Sequence, residues 1–109
     1  MLTYDTIIKG DAATGTVTIG DDVLCPSPSQ RVVNHSPDGF SWGYGGSGPA
    51  QLALAILLRL IPNEGIAVRL YKEFKRDVIA PMDVGKDFQI TVGTVMHWLE
   101  KQYLAHTCT

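Results

Sequence analysis

A short loop rich in glycine and aromatic residues carries the residue types best suited to binding a ligand. It spans residues 40–49 and runs into the most apolar segment of the chain. Glycine adopts backbone conformations with positive φ that residues with side chains avoid, and it lets a ligand approach the backbone closely. A contorted path or a close ligand contact is therefore indicated by the four glycines of this loop: Gly43, Gly45, Gly46 and Gly48.

The helix that follows the loop is predicted to bind an anion at its first turn. Pro49 suits the first helical position, because its φ is preset and no N–H is needed there. This places the N-cap at Gly48, with Ser47 just before it. A helix start has unpaired N–H groups and a partial positive charge, which together bind phosphate or carboxylate. We expect phosphate oxygens to be held by the backbone N–H groups of four residues: Gly45, Gly46, Ser47 and Gly48.

Aromatic and basic side chains complete the predicted ligand site. Trp42 and Tyr44 flank the glycines and are suited to stacking on a base. Arg31 or Arg59 is suited to pairing with the charge of a phosphate. These residues predict a nucleotide-like, phosphate-bearing small molecule as the ligand.

A purely structural role for the loop stays open beside that prediction. Glycine-rich loops also form where a chain turns sharply into a buried helix. The phosphate-binding pattern G-x-x-x-x-G-K-[ST] is absent, because no lysine follows the glycines. Gly43, Gly45 and Gly48 match the spacing of G-x-G-x-x-G, but no strong strand precedes them.

The chain lacks the residue patterns that indicate an enzyme. Ser36 and Ser41 lie near His35 in sequence, but there is no G-x-S-x-G motif to expose a nucleophile. His97 and Glu100 are three residues apart on a predicted helix, without a third metal ligand in view. We therefore predict no catalytic residue, no metal site and no cofactor.

Composition narrows the class of protein and its partners. The 109 residues, 45% of them hydrophobic, predict one globular domain spanning residues 1–109. A formal charge of −2 argues against general nucleic-acid binding, which needs a clustered basic surface. The longest apolar run, residues 52–61, is too short to span a bilayer. Cys25 and Cys108 form no metal or redox motif and are interpreted as reduced thiols of a cytoplasmic protein.

The pattern of the chain predicts an α+β fold. Residues 3–9, 16–19 and 23–24 favour strands, which the intervening turns join into an antiparallel meander. Residues 26–29 are predicted to be irregular because of their two prolines, and residues 32–33 to pair briefly with the sheet. The meander is predicted to pack against about three helices.

Those helices differ in how much of their surface is apolar. Residues 49–60 are apolar nearly all round and predict a buried helix, which also makes a homo-oligomer plausible. Residues 64–79, capped by Asn63, are amphipathic. Residues 88–90 are predicted to be short and extended, and Thr91 is predicted to cap a last helix over residues 92–105.

The central loop and the helix after it resemble a known family. Residues 40–57 read Phe-Ser-Trp-Gly-Tyr-Gly-Gly-Ser-Gly-Pro-Ala-Gln-Leu-Ala-Leu-Ala-Ile-Leu. This run resembles the signature of a family of small uncharacterised proteins, a domain of unknown function found in bacteriophages, plasmids and bacteria. Tyr71, Phe74 and Trp98 are similar to later motifs of that family, whereas residues 1–35 match loosely.

The resemblance implies mobile-element ancestry, and phage accessory proteins of this size often inhibit host defence. Combined with the predicted site, it leads to the hypothesis of a non-enzymatic phage-type accessory protein. In this hypothesis the protein binds a nucleotide-like small molecule and acts as a sponge for a host defence signal. Two alternatives stay open: a protein-binding inhibitor of a host defence or nuclease complex, and a structural homo-oligomeric module.

Overall fold

The computed structural model describes the backbone of residues 2–107 and the side chains of residues 2–102. The predicted α+β fold is confirmed: a four-stranded antiparallel sheet packs with four helices and one π-helical segment. In chain order the elements are β1 (Ile7–Gly10), β2 (Val17–Ile19), β3 (Asp22–Val23), α1 (Ser27–Val32), α2 (Ser47–Leu60), α3 (Glu64–Phe74), the π-helical segment (Lys75–Ile79), β4 (Phe88–Thr91) and α4 (Val92–Thr107).

The sheet has the strand order β3-β2-β1-β4 and buries one face. Ile8 lies between Ile19 on β2 and Ile90 on β4, and cross-strand partners point to the same side of a sheet. Ile8, Ile19 and Val17 are buried in the core, whereas Lys9, which follows Ile8 on β1, is exposed. The alternation predicted from the sequence therefore sets which face packs against the helices.

The first strand is shorter than predicted, because residues 3–6 form a turn. The N–H of Thr6 donates to the carbonyl of Thr3 over 3.1 Å. The segment predicted only as extended, residues 88–90, is the edge strand β4, and it pairs with β1. Its partner could not be inferred from local pattern, because the pairing is non-local.

The prediction for residues 26–33 was wrong. Residues 27–32 form the six-residue helix α1, and Val33 does not join the sheet. A proline in the first turn of a helix loses no hydrogen bond, so Pro28 is compatible with α1. The hydroxyl of Ser29 donates to the carbonyl of Pro26 over 2.7 Å, which holds that turn.

Helix α2 is the centre of the domain. Every residue from Gly48 to Leu57 is buried, and the covering surfaces come from the same chain. The helix therefore offers little surface for the self-association that its composition suggested. Its N-cap is Gly46 rather than the predicted Gly48. Pro49 nevertheless lies in the first turn, where a backbone N–H has no partner within the helix. None of the helices in residues 2–107 has both the length and the apolar composition for crossing a bilayer.

The remaining helices begin at the predicted caps. Asn63 accepts the N–H of Ile66 over 3.1 Å, and the Thr91 hydroxyl accepts the N–H of Thr94 over 3.1 Å. The predicted helix over residues 64–79 is α3 continued by the π-helical segment. There Asp77 accepts the indole N–H of Trp98 over 2.9 Å, and this bond holds the pKa of Asp77 below its usual value. Cys108 lies outside the described residues.

Candidate functional site

Trp42, predicted to stack on a ligand, belongs to the hydrophobic core. Only 4% of its surface is exposed. Its indole N–H donates to the carbonyl of Lys86 over 2.7 Å, and its ring meets the ring of Phe88 edge-on with the centroids 4.8 Å apart. The indole N–H therefore has a hydrogen-bond partner and the ring is packed in the core, so the indole presents no free face to a ligand.

Tyr44 lies at the surface and covers the start of α2. It is 48% exposed, and its hydroxyl is 2.7 Å from the hydroxyl of Ser41. Its ring packs so closely over Gly46 that a Cβ atom there would overlap it. Gly45 and Ser47 are exposed, whereas Gly48 is buried against Ser41. The predicted row of four open amides is therefore interrupted by side chains of the loop itself.

The two predicted arginines are not gathered at this loop. Arg59 is twelve residues beyond Ser47, which is about 18 Å along a helix axis. Its guanidinium binds the carboxylate of Asp22 over 2.7 Å. Arg31 is exposed in the last turn of α1, and no hydrogen bond or pocket among the described residues joins it to the loop.

One glycine of the loop explains its path. Gly43 has φ of +88°, in the left-handed region that favours glycine. Its N–H donates to the carbonyl of Ile79 over 3.1 Å, and a Cβ atom there would lie 2.5 Å from the backbone of Val84. The contorted path therefore packs the loop against residues 79–86.

Alanine substitutions are expected to separate these glycines by their effect on stability. Gly43→Ala combines a strained φ with a backbone clash, so we expect a loss of at least about 2 kcal/mol in the free energy of unfolding. Gly45→Ala meets no atom within 4 Å, and we expect a change within about 0.5 kcal/mol. Urea denaturation measures both. Equal losses would contradict the assignment of the turn to Gly43.

A network centred on Gln51 organises the region beside the loop. Gln51 is fully buried in α2. Its carbonyl oxygen accepts the N–H groups of His35 and Ser36 over 2.7 and 3.0 Å. Its amide donates to the Ser29 hydroxyl and the Val33 carbonyl over 2.8 and 3.0 Å. All four hydrogen bonds available to a glutamine are formed, so this Gln51 network fixes residues 29–36 against α2.

The Gln51 network positions His35 beside a buried phenol. The Nε2 atom of His35 lies 2.6 Å from the hydroxyl of Tyr71, which is buried in α3. Burial raises the pKa of Tyr71. Burial also lowers the pKa of His35, and the charges of Lys72 and Lys75 lower it further. We assign the phenol as donor to Nε2, because the Tyr71 hydroxyl has no other acceptor among the described residues, and this leaves the Nδ1 atom of the neutral His35 as an N–H donor.

The surroundings of His35 are positively charged. The ion pairs among the described residues are Arg59 with Asp22 and Arg76 with Asp77, so neither Lys72 nor Lys75 has a carboxylate partner there. We call His35, Tyr71, Lys72 and Lys75 the His35 cluster. Apart from the phenol, the polar groups of this cluster are an imidazole N–H and two ammonium groups, all hydrogen-bond donors. Its chemistry suits a small anion.

The His35 cluster is only partly recognisable from the sequence. His35 lies in a loop with no partner nearby in sequence, and Gln51 is a polar residue in an otherwise apolar helix. A glutamine in a helix apolar nearly all round is itself a signal, because a buried amide needs hydrogen-bond partners. The partners of Gln51 depend on how residues 29–36 fold back onto α2, and the local sequence pattern does not predict that placement.

Among the residues that the structure describes, no three His, Cys, Asp or Glu side chains are grouped as a metal site would require.

Comparison with known proteins assigns the chain to a family. No curated protein and no solved structure matches the chain. A family model matches residues 8–101, which include the loop, the Gln51 network and the His35 cluster. The chain therefore belongs to a family of unknown function, DUF6166.

Proposed function

We propose that this protein is a non-enzymatic accessory protein that binds a phosphate-bearing, nucleotide-like small molecule. The phosphate is held at the His35 cluster instead of at the glycine-rich loop. One observation carries this assignment: the half-buried His35, held in place by the Gln51 network, is near enough to two lysines without carboxylate partners for their charges to lower its pKa. The burial of Trp42 argues against the loop as the stacking platform.

The electrostatics of the cluster favour an anion over an empty site. Three donors without a nearby acceptor repel one another when the histidine becomes protonated, which is why the lysines lower its pKa. A bound dianion accepts from all three groups and replaces that repulsion by attraction. Anion binding must therefore raise the pKa of His35, and by linkage protonation of His35 must strengthen anion binding.

The sponge role in the proposal rests on the resemblance to proteins of mobile elements. Proteins of mobile elements that sequester a nucleotide signal of host defence need a phosphate site without catalysis. Such a sponge acts by stoichiometric binding, so a site built only from hydrogen-bond donors is sufficient for it.

Sulfate binding at two pH values tests the His35 cluster. Sulfate remains a dianion across this range, so a pH effect reports on the protein. We expect binding to tighten severalfold between pH 7.5 and pH 5.5, toward the limit of about tenfold that a one-unit rise in the pKa of His35 sets. Replacing both lysines, Lys72→Gln with Lys75→Gln, should weaken binding roughly tenfold, since each exposed ion contact contributes about 0.2–1 kcal/mol. Calorimetric titration and the imidazole NMR signals of His35 measure both effects.

A charge-matched control separates local contacts from net charge. Lys9 lies on the exposed face of the sheet and Lys101 on α4, so Lys9→Gln with Lys101→Gln removes the same charge elsewhere. This control should bind sulfate like the unmodified protein. Equal weakening in both double variants, or sulfate binding that leaves the His35 signals unmoved, would refute the site. A panel of nucleoside monophosphates and cyclic nucleotides then asks which base is preferred.

A further inference from the structure

An open apolar groove runs between the end of α2, the side of α3 and α4. Its volume is about 460 Å³. Six apolar side chains form most of its walls: Leu60, Ile61, Ile66, Leu70, Met96 and Leu99. No residue of the glycine-rich loop or of the His35 cluster lines it, although Lys72 of that cluster is three residues from Arg69, which does.

The walls of the groove are apolar side chains that are partly exposed to solvent. Ile66 is 40% exposed although its neighbour Ala67 is fully buried. Met96 and Leu99 are half-buried along the opposite wall on α4. Contiguous apolar surface beside polar residues marks sites of protein interaction. A trough between two helices has the shape that accepts the apolar side of a third helix.

The charge that lines the groove is positive. Among the residues whose side chains the structure describes, Arg69 is the charged residue that lines it, and no acidic residue does so. Lys72 follows three residues later in α3, a spacing that places it near Arg69 on one side of the helix. Arg69 and Lys72 have no carboxylate partner among the described side chains. A basic stripe therefore borders an apolar trough.

We propose that this groove binds one amphipathic helix of a partner protein, with acidic residues flanking its apolar side. The apolar side chains of that helix fill the space between Ile66, Leu70 and Leu99. Its carboxylates then meet Arg69 and Lys72. A second copy of this chain fits less well, because a two-fold axis through the groove brings the basic stripes of both copies together.

Designed peptides provide the test on the whole 109-residue chain. One peptide is a helix of about 18 residues, or five turns, with leucines along one side and glutamates beside them. The second carries lysine in place of each glutamate. We expect the acidic peptide to bind with a Kd on the order of tens of micromolar, and the basic one at least tenfold more weakly. Fluorescence anisotropy of labelled peptides measures both.

Three variants connect the binding to this groove. Ile66→Asp should weaken the acidic peptide at least tenfold, and its target is exposed enough for the domain to stay folded. Arg69→Glu should reverse the preference between the peptides. Val84 is 66% exposed and lies outside the groove, so Val84→Asp should change nothing. Sulfate binding should survive Ile66→Asp, which keeps a failure here distinct from a failure at the His35 cluster.

Several outcomes would overturn the proposal. The groove is not a helix site if neither peptide binds, or if Val84→Asp weakens binding as much as Ile66→Asp does. Equal affinity for the two peptides would show that acidic residues are not required in the partner helix. A dimer by sedimentation that Ile66→Asp converts to a monomer would show that a second copy occupies the groove.

Discussion

Replacing Gln51 with leucine is expected to remove about 3–5 kcal/mol from the free energy of unfolding. Leucine is apolar and of similar size, so it suits the buried position but makes no hydrogen bond. The N–H groups of His35 and Ser36 and the Val33 carbonyl lose their partner, and the Ser29 hydroxyl loses a donor but keeps the Pro26 carbonyl as its acceptor. A buried group left without a partner costs about 1–3 kcal/mol, and partial access to water keeps the sum below three times that value.

The loss is large against the whole stability of a small domain, which is about 5–15 kcal/mol. Urea denaturation monitored by tryptophan fluorescence and by circular dichroism measures it, with both probes needed to confirm a two-state transition. We also expect Gln51→Leu to weaken sulfate binding, because the segment that carries His35 is then no longer fixed to α2.

Gln30→Leu is the matched control for Gln51→Leu. The Gln30 amide makes one hydrogen bond, to the carbonyl of Ser36 over 2.8 Å, and that bond is only partly buried. Its removal should cost about 1 kcal/mol. If both variants lose the same stability, residues 29–36 find other partners and the Gln51 network does not organise this region.

Local signals in the sequence were sufficient for most helices and for the sheet alternation. Asn63 and Thr91 cap their helices as predicted, because a cap depends on residues within one turn. The alternation through Thr16-Val-Thr-Ile19 gave β2 its buried side, since side chains along a strand point to opposite faces. The α+β class followed from these elements.

Features that depend on distant contacts were missed. The pairing of β4 with β1 joins residues at opposite ends of the chain. Helix α1 was missed because two prolines suggested irregular structure, whereas one of them occupies a helical first turn. Propensity rules are statements about average surroundings, and tertiary contacts override them in short elements.

The loop resembles a ligand site for a related physical reason. Glycines and aromatic residues near a helix start are typical of ligand sites, but the same residues also allow a tight turn to pack. Gly43 adopts positive φ to bring the loop against Val84, and this places Trp42 in the core. Conversely, His35 and Lys75 are forty residues apart in sequence, and only the hydrogen bonds of Gln51 and Tyr71 bring their elements together.

Trp42→Ala is expected to destabilise the domain by about 3–5 kcal/mol, the usual cost of truncating a buried large aromatic side chain. The change leaves a cavity beside Phe88 and deprives the Lys86 carbonyl of its donor. Thermal and urea denaturation measure the loss. A ligand-stacking tryptophan would behave differently, since its removal would weaken binding and leave folding intact.

Tyr44→Ala is the comparison that gives this result its meaning. Tyr44 belongs to the same loop but is half exposed, and its hydrogen bond to Ser41 is at the surface. We expect it to cost less than about 1 kcal/mol, because water replaces that bond and little apolar area is lost. Near-normal stability of Trp42→Ala would mean that the indole can leave the core, and the loop would again be the stronger candidate for the ligand site. If Trp42→Ala loses much stability and Tyr44→Ala little, Trp42 serves the core and Tyr44 only the surface of the loop. The His35 cluster is then the stronger candidate for the anion site.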